Sequence, residues 1–136
     1  MSGTGETDEV VRALADPAFH PDRPVEVVHV QTHISHVFVA DRFTWKMKKP
    51  VRFSFADFST LAARRDACAD ELRLNRRLAP ELYRDVVAIR GPRRQARCFG
   101  EGPVIEWAVR IDRFLTRRRI VHPLFVVAIG SPKPLD

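Results

Sequence analysis

Cysteine is scarce. Cys68 and Cys98 are the two in 136 residues. They are too few for a disulfide framework and lack the CxxC spacing of a zinc or redox motif. Both read as reduced structural thiols. No apolar run approaches the roughly 18–20 residues that a spanning helix needs, which argues against a helical membrane protein. Residues 1–9 are polar and acidic, so they do not read as a secretory signal. A soluble, cytoplasmic protein is the expectation. Glycine is sparse at six, and no GxxxxGK[ST] phosphate loop occurs.

What is present fits a single globular domain. The hydrophobic share is 45%, which argues against wholesale disorder. The formal net charge is +6, and this points to an anionic partner such as a phosphorylated ligand or nucleic acid. The charge is uneven. Glu6, Asp8, Glu9, Asp16, Asp22 and Glu26 dominate the start, against Arg12 and Arg23. Basic residues gather later, at 42–52, 64–77, 90–97 and 110–119. Such clusters are most often solvated faces.

Residues 7–15 have the apolar spacing of a short helix, which Asp16-Pro17 ends. Pro17, Pro21 and Pro24 mark a connector. Three β-prone runs follow at 25–32, 34–40 and 43–48, with Asp41-Arg42 as a tight turn. In the third run Phe43, Trp45 and Met47 face one way, and Thr44, Lys46 and Lys48 the other. FSFADF at 53–58 reads as an aromatic connector. A long helix is expected over 60–78, capped by Asp57 or Ser59, with Leu61, Ala67, Leu72, Leu74 and Leu78 as its apolar positions. Strands are expected at 86–89 and 104–111, with the basic stretch 93–97 on an exposed turn or edge. The order predicts an α+β fold: a mainly antiparallel sheet with one long packed helix.

The lysines at the end of the hairpin are the first chemical feature. A lysine there suits phosphate binding, because its ammonium is a point charge on a long stem. A solvated strand face is the plainer alternative. Glu71 tips the balance. It lies mid-helix, on or next to the apolar stripe, and a carboxylate facing a sheet needs a cationic partner. A strand lysine oriented by a helix glutamate is the phosphate-positioning pair of protein kinases.

Three stretches then carry a family resemblance: THISHVFVADRFTWKMKKPV at 32–51, DFSTLAARRDACADELRLNRRLAPELY at 57–83 and EWAVRIDRF at 106–114. Together they resemble the N-terminal part of bacterial aminoglycoside phosphotransferase-like proteins, which often carry a P-loop ATPase domain further on. The resemblance spans about residues 8–114. It implies a protein-kinase-like small lobe at 25–114, preceded by a helix and proline-rich connector at 1–24. It implies that Lys46 contacts ATP phosphates and that Glu71 holds it, with Lys48 as the alternative. It also implies a hinge at 110–114, where the backbone of Arg110, Ile111 and Asp112 meets adenine, and a segment at 32–40 over the nucleotide. That segment has no GxGxxG. The implied cofactor is ATP with Mg2+, the metal site itself lying elsewhere. The implied partners are a nucleotide and a large lobe or another subunit.

The departure from the family lies after Phe114. A phosphotransferase needs a catalytic-loop aspartate, an asparagine and a metal-binding aspartate. No HxD motif follows, so no catalytic or metal-binding residue is assigned. Residues 115–136 read as an out-of-family tail, as a frameshift or truncated gene produces. The expected function is therefore a phosphate-positioning fragment, inactive alone. The alternative is a basic nucleic-acid-binding or protein-interaction module. His33 and His36 have HxxH spacing, but in a strand this places them on opposite faces, and no third zinc ligand is evident. Trp45 and Trp107 read as core, and Ser54, Ser59 and Thr60 lack a histidine arrangement for a nucleophile.

Overall fold

Five strands form one antiparallel sheet in a computed structural model that describes residues 2–112. The tail at 115–136 and the far end of the expected hinge lie outside the described residues. In chain order the elements are α1 (Ser2–Leu14), a 3-10 turn (Pro17–Phe19), β1 (Val28–Gln31), β2 (Ser35–Val39), β3 (Phe43–Lys48), β4 (Arg52–Phe53), β5 (Ala56–Asp57), α2 (Leu61–Arg76), β6 (Tyr83–Arg90), a second 3-10 turn (Arg93–Gln95) and β7 (Val104–Asp112). The sheet runs β1-β2-β3-β7-β6, and β4 and β5 make a separate hairpin. The fold is α+β, with one helix packed on each face of an antiparallel sheet.

Alternation along the strands sorts side chains between the two faces. One face holds Phe38, Trp45, Met47, Ile89 and Ala108, which pack against Val10 and Leu14 of α1 and against Phe19. The N-terminal segment thus contributes to the same core as the sheet. Full burial of side chains such as Leu14 or Met47 stabilises by about 1.5–3 kcal/mol each. The other face holds Val109, Ile111 and Tyr83, which pack against Cys68 of α2 together with Leu82.

Several expectations shift. The FSFADF connector contributes to the β4–β5 hairpin. The cap of α2 is Thr60 and not Asp57 or Ser59: its hydroxyl accepts from the Ala63 N–H at 3.0 Å. Asp57 instead binds the Ser59 N–H and hydroxyl, which fixes the turn before the helix. The expected stripe of α2 is also misplaced, since Leu74 and Leu78 are 49% and 82% exposed. The buried positions are Arg64, Cys68 and Glu71, spaced i, i+4, i+7. Polar side chains occupy the inward face because each has a partner on the sheet. The penultimate strand also begins three residues earlier than expected, at Tyr83. Arg76 holds that start by donating to the carbonyls of Tyr83 and Arg84 at 3.0 and 2.6 Å.

Candidate functional site

The register places two rows of side chains under α2. Val28, Val39, Thr44, Ile111 and Tyr83 form one row across the sheet. Val30, Val37, Lys46, Val109 and Val86 form the next. Lys46 therefore sits on the central strand between two valines. Lys48, two residues on, shares its face and pairs with Ser35. Neither lysine lies in solvent: Lys46 is 1% exposed and Lys48 is buried.

Glu71 reaches both from α2. Lys46 Nζ donates to Oε2 at 2.8 Å, and Lys48 Nζ lies 2.9 Å from Oε1. The carboxylate is thus shared between the two lysines, one on each oxygen. Phe58 sits beside the Lys48 ammonium, 5.6 Å from ring centroid to Nζ. Arg64, two turns earlier on α2, donates to the Phe58 carbonyl at 2.9 Å and to Glu106 at 2.9 Å. Glu106 also accepts from the Trp107 N–H at 3.2 Å. Three buried ion pairs thus fasten α2 to the sheet and set how far Glu71 projects.

Burial and charge oppose each other here. Burial pushes the Lys46 amine down to about 8, against the pull of Glu71. Burial alone would raise the Glu71 carboxyl, but Lys46 and Lys48 outweigh it and hold it below the ordinary range. Burial, with Glu71 adding, pushes the neighbouring Cys68 thiol up to about 12. Burial likewise raises the Glu106 carboxyl, although Arg64 works the other way. The cluster sets two lysine side chains against one carboxylate.

Of the residues singled out from sequence, Lys46, Lys48 and Glu71 come together. Arg110, Ile111 and Asp112 do not join them. All three lie within β7, and the Asp112 N–H donates to the Leu82 carbonyl at 2.8 Å. Arg110 pairs with Trp45 on the opposite face and makes two hydrogen bonds to Asp85, at 3.0 and 2.8 Å. Ile111 is core. Some residues of the basic clusters are engaged within the chain: Arg64 in the interior, Arg110 at its edge and Arg76 on the surface. His36 meets His29 of β1 at 3.0 Å, whereas His33 is exposed between strands. Among the described residues no group of three metal-ligating side chains forms.

Sequence reading missed three buried hydroxyls on the lysine face. Ser35 Oγ, Thr44 Oγ1 and Tyr83 OH are enclosed without a hydrogen-bond partner. Their positions follow from the strand pairing, which the sequence pattern did not specify across β2, β3, β7 and β6. The Arg64–Glu106 pair was also missed; the i, i+4, i+7 spacing of Arg64, Cys68 and Glu71 was its signal.

No protein-family model matches the chain. No solved structure matches it. It is similar to an uncharacterized protein of Mycobacterium bovis, 39% identical over 102 residues, 75% of this chain and 18% of that protein. Uncharacterized proteins of two Mycobacterium tuberculosis strains match with the same identity and coverage. The chain spans less than a fifth of the length of these relatives, at 18%.

Proposed function

We propose that the chain is a nucleotide-binding lobe of a kinase-like phosphotransferase, similar to the small lobe of aminoglycoside phosphotransferase-like proteins. In this reading Lys46 contacts ATP phosphates and Glu71 fixes the lysine in place. One observation carries it: a buried 2.8 Å pair between a lysine on the third strand of the sheet and a glutamate on the helix that follows. Protein kinases position phosphates with this combination of strand lysine and helix glutamate. The resemblance of residues 32–51, 57–83 and 106–114 supports it further.

The surroundings suit a nucleotide. Val28 and Val30 are 49% and 46% exposed and lie on the lysine face, in the rows of Thr44 and Lys46. They offer an apolar surface for a base, next to cations for the phosphates. Bound ATP supplies the transferable phosphoryl group. The lobe orients the phosphates and keeps water from the ammonium groups. Mg2+ enters as the counterion of the nucleotide, with no ligand assigned to it from residues 2–112. Transfer itself belongs to a large lobe or partner subunit.

Calorimetric titration of the 136-residue chain with Mg-ATP tests this, with Lys46→Met alongside. The expected result is binding by the wild type and a loss of at least about tenfold in the variant, at unchanged circular dichroism. A folded wild-type chain that binds no ATP overturns the reading.

A further inference from the structure

We infer that the His29–His36 pair is a pH-operated latch on the edge strand β1. It holds β1 on the sheet while the pair is neutral or carries one extra proton, and lets β1 go when both rings are charged. The inference goes beyond the nucleotide reading and does not depend on it.

β1 is the outermost strand, held along one side by its antiparallel pairing with β2. Its side chains add little to that. Val28, Val30 and Gln31 are exposed, and His29 is the one β1 residue that is not. The His29 ring stacks on the buried Phe38, with centroids 4.7 Å apart and planes 9° apart. Its Nε2 lies 3.0 Å from Nδ1 of His36, a buried residue of β2. One ring–ring hydrogen bond and one stacked face thus join β1 to the interior.

That bond tolerates two of the three protonation states. In the neutral pair one facing nitrogen carries the proton and the other offers a lone pair. One further proton goes to a nitrogen outside the bond, and the N–H···N link survives. A second proton turns both facing nitrogens into donors, 3.0 Å apart with no acceptor between them. It also leaves two positive rings with centroids 5.1 Å apart.

The surroundings disfavour the doubly charged state. Burial, then His29 and Lys49, hold His36 down at about 4, while Asp8 of α1 acts the other way. Burial and Lys49 lower His29 as well. Across the sheet His36 meets Gln31 and Met47, which do not titrate. Among the described residues the charged groups acting on the pair are therefore Lys49 and Asp8, one of each sign. They leave two charged rings without a matching counter-charge. The repulsion falls on β1, because β2 is paired on both sides and β1 on one. Letting go of β1 withdraws Val28 and Val30 from the lysine face and uncovers the backbone edge of β2. A histidine pair can in this way turn a fall in pH into a change of contacts.

Hydrogen–deuterium exchange of the full chain, read by peptide mass spectrometry from pH 6.5 to pH 4 and corrected for intrinsic rates, tests the inference. Over that range the amides of 28–31 should lose at least about tenfold more protection than those of β7. His36→Gln keeps a hydrogen-bonding side chain that does not titrate, and should cut the extra loss to about twofold or less. His29→Gln, a change at a half-buried edge position, should do the same, and it keeps the test open where His36→Gln fails to fold. A wild-type chain in which β1 and β7 lose protection together overturns the inference, because the acid effect is then global. The same extra loss at β1 in folded His29→Gln and His36→Gln chains overturns it too. The measurement uses no nucleotide, so its outcome is separate from that of the ATP titration.

Discussion

Glu71→Gln should be the most damaging conservative change in the cluster. The glutamine keeps shape and removes charge. Two ammonium groups, 1% and 5% exposed, then lose their shared carboxylate. Deleting one partner of a buried ion pair is destabilising by about 3–5 kcal/mol, because the remaining charge is stranded. Lys46→Met is different. It removes an ammonium that burial already disfavours, and Glu71 retains Lys48 at 2.9 Å. Its loss should be smaller than that of Glu71→Gln, since Lys48 remains to balance the carboxylate and no ammonium is stranded. Urea denaturation at pH 7 reads both. At a slope of about 2 kcal/mol/M, Glu71→Gln lowers the midpoint by roughly 1.5–2.5 M. The deficit shrinks as pH rises. Without Glu71, burial acts on Lys46 with less opposition, so its amine loses its proton more readily in the folded chain than in the unfolded one, and alkali favours folding of the variant. A Glu71→Gln midpoint within about 0.5 M of the wild type, or a larger loss in Lys46→Met, refutes the reasoning.

The other predictions concern titration and access. Burial, with His29 and Lys49 nearby, holds His36 down at about 4, against 6.5 when unfolded. Between those values the unfolded chain binds more protons, so stability falls as pH drops through that window, by at most about 3 kcal/mol from this group. Denaturation at pH 7 and pH 4.5 checks it, and a His36→Gln chain should lose part of the dependence; equal acid sensitivity in both would remove His36 as the cause. Cys68 is fully buried with its thiol pushed up to about 12, so in a Cys98→Ser chain a disulfide reagent should label it only on unfolding. Labelling in buffer at the rate seen in urea would place that thiol at the surface. With Lys46 held at about 8, ATP affinity should weaken as pH rises through that value and the ammonium loses its charge. A flat affinity from pH 7 to 9.5 argues against Lys46 as the phosphate contact.

Much of the fold was legible because local patterns and tertiary demands agree. The alternation over 43–48 fixed a strand whose bounds match β3, and the turn at Asp41-Arg42 joins it to β2. Glu71 was legible because a carboxylate on an inward helix position has few ways to be satisfied. The phase of α2 was less so. Leucines at 74 and 78 suggested burial, yet the helix turns Leu74 outward and ends before Leu78, because Arg64 and Glu71 have buried partners from distant strands. Nothing local to 60–78 announces Glu106 or Lys48. The same holds for Ser35, whose importance comes from a cross-strand neighbour thirteen residues away. The β4–β5 hairpin was missed because two-residue strands carry too little alternation to read.

The most direct test of the central claim is covalent mapping with ATP that carries an acyl phosphate at its terminal end. A lysine amine near the phosphates attacks the acyl carbon and releases ATP, leaving an amide that peptide mass spectrometry locates. Labelling at Lys46 or Lys48, suppressed by excess ATP and lost on unfolding, is the expected result. Labelling spread over surface lysines, or unaffected by ATP, contradicts a phosphate-binding role for the Lys46–Glu71–Lys48 cluster.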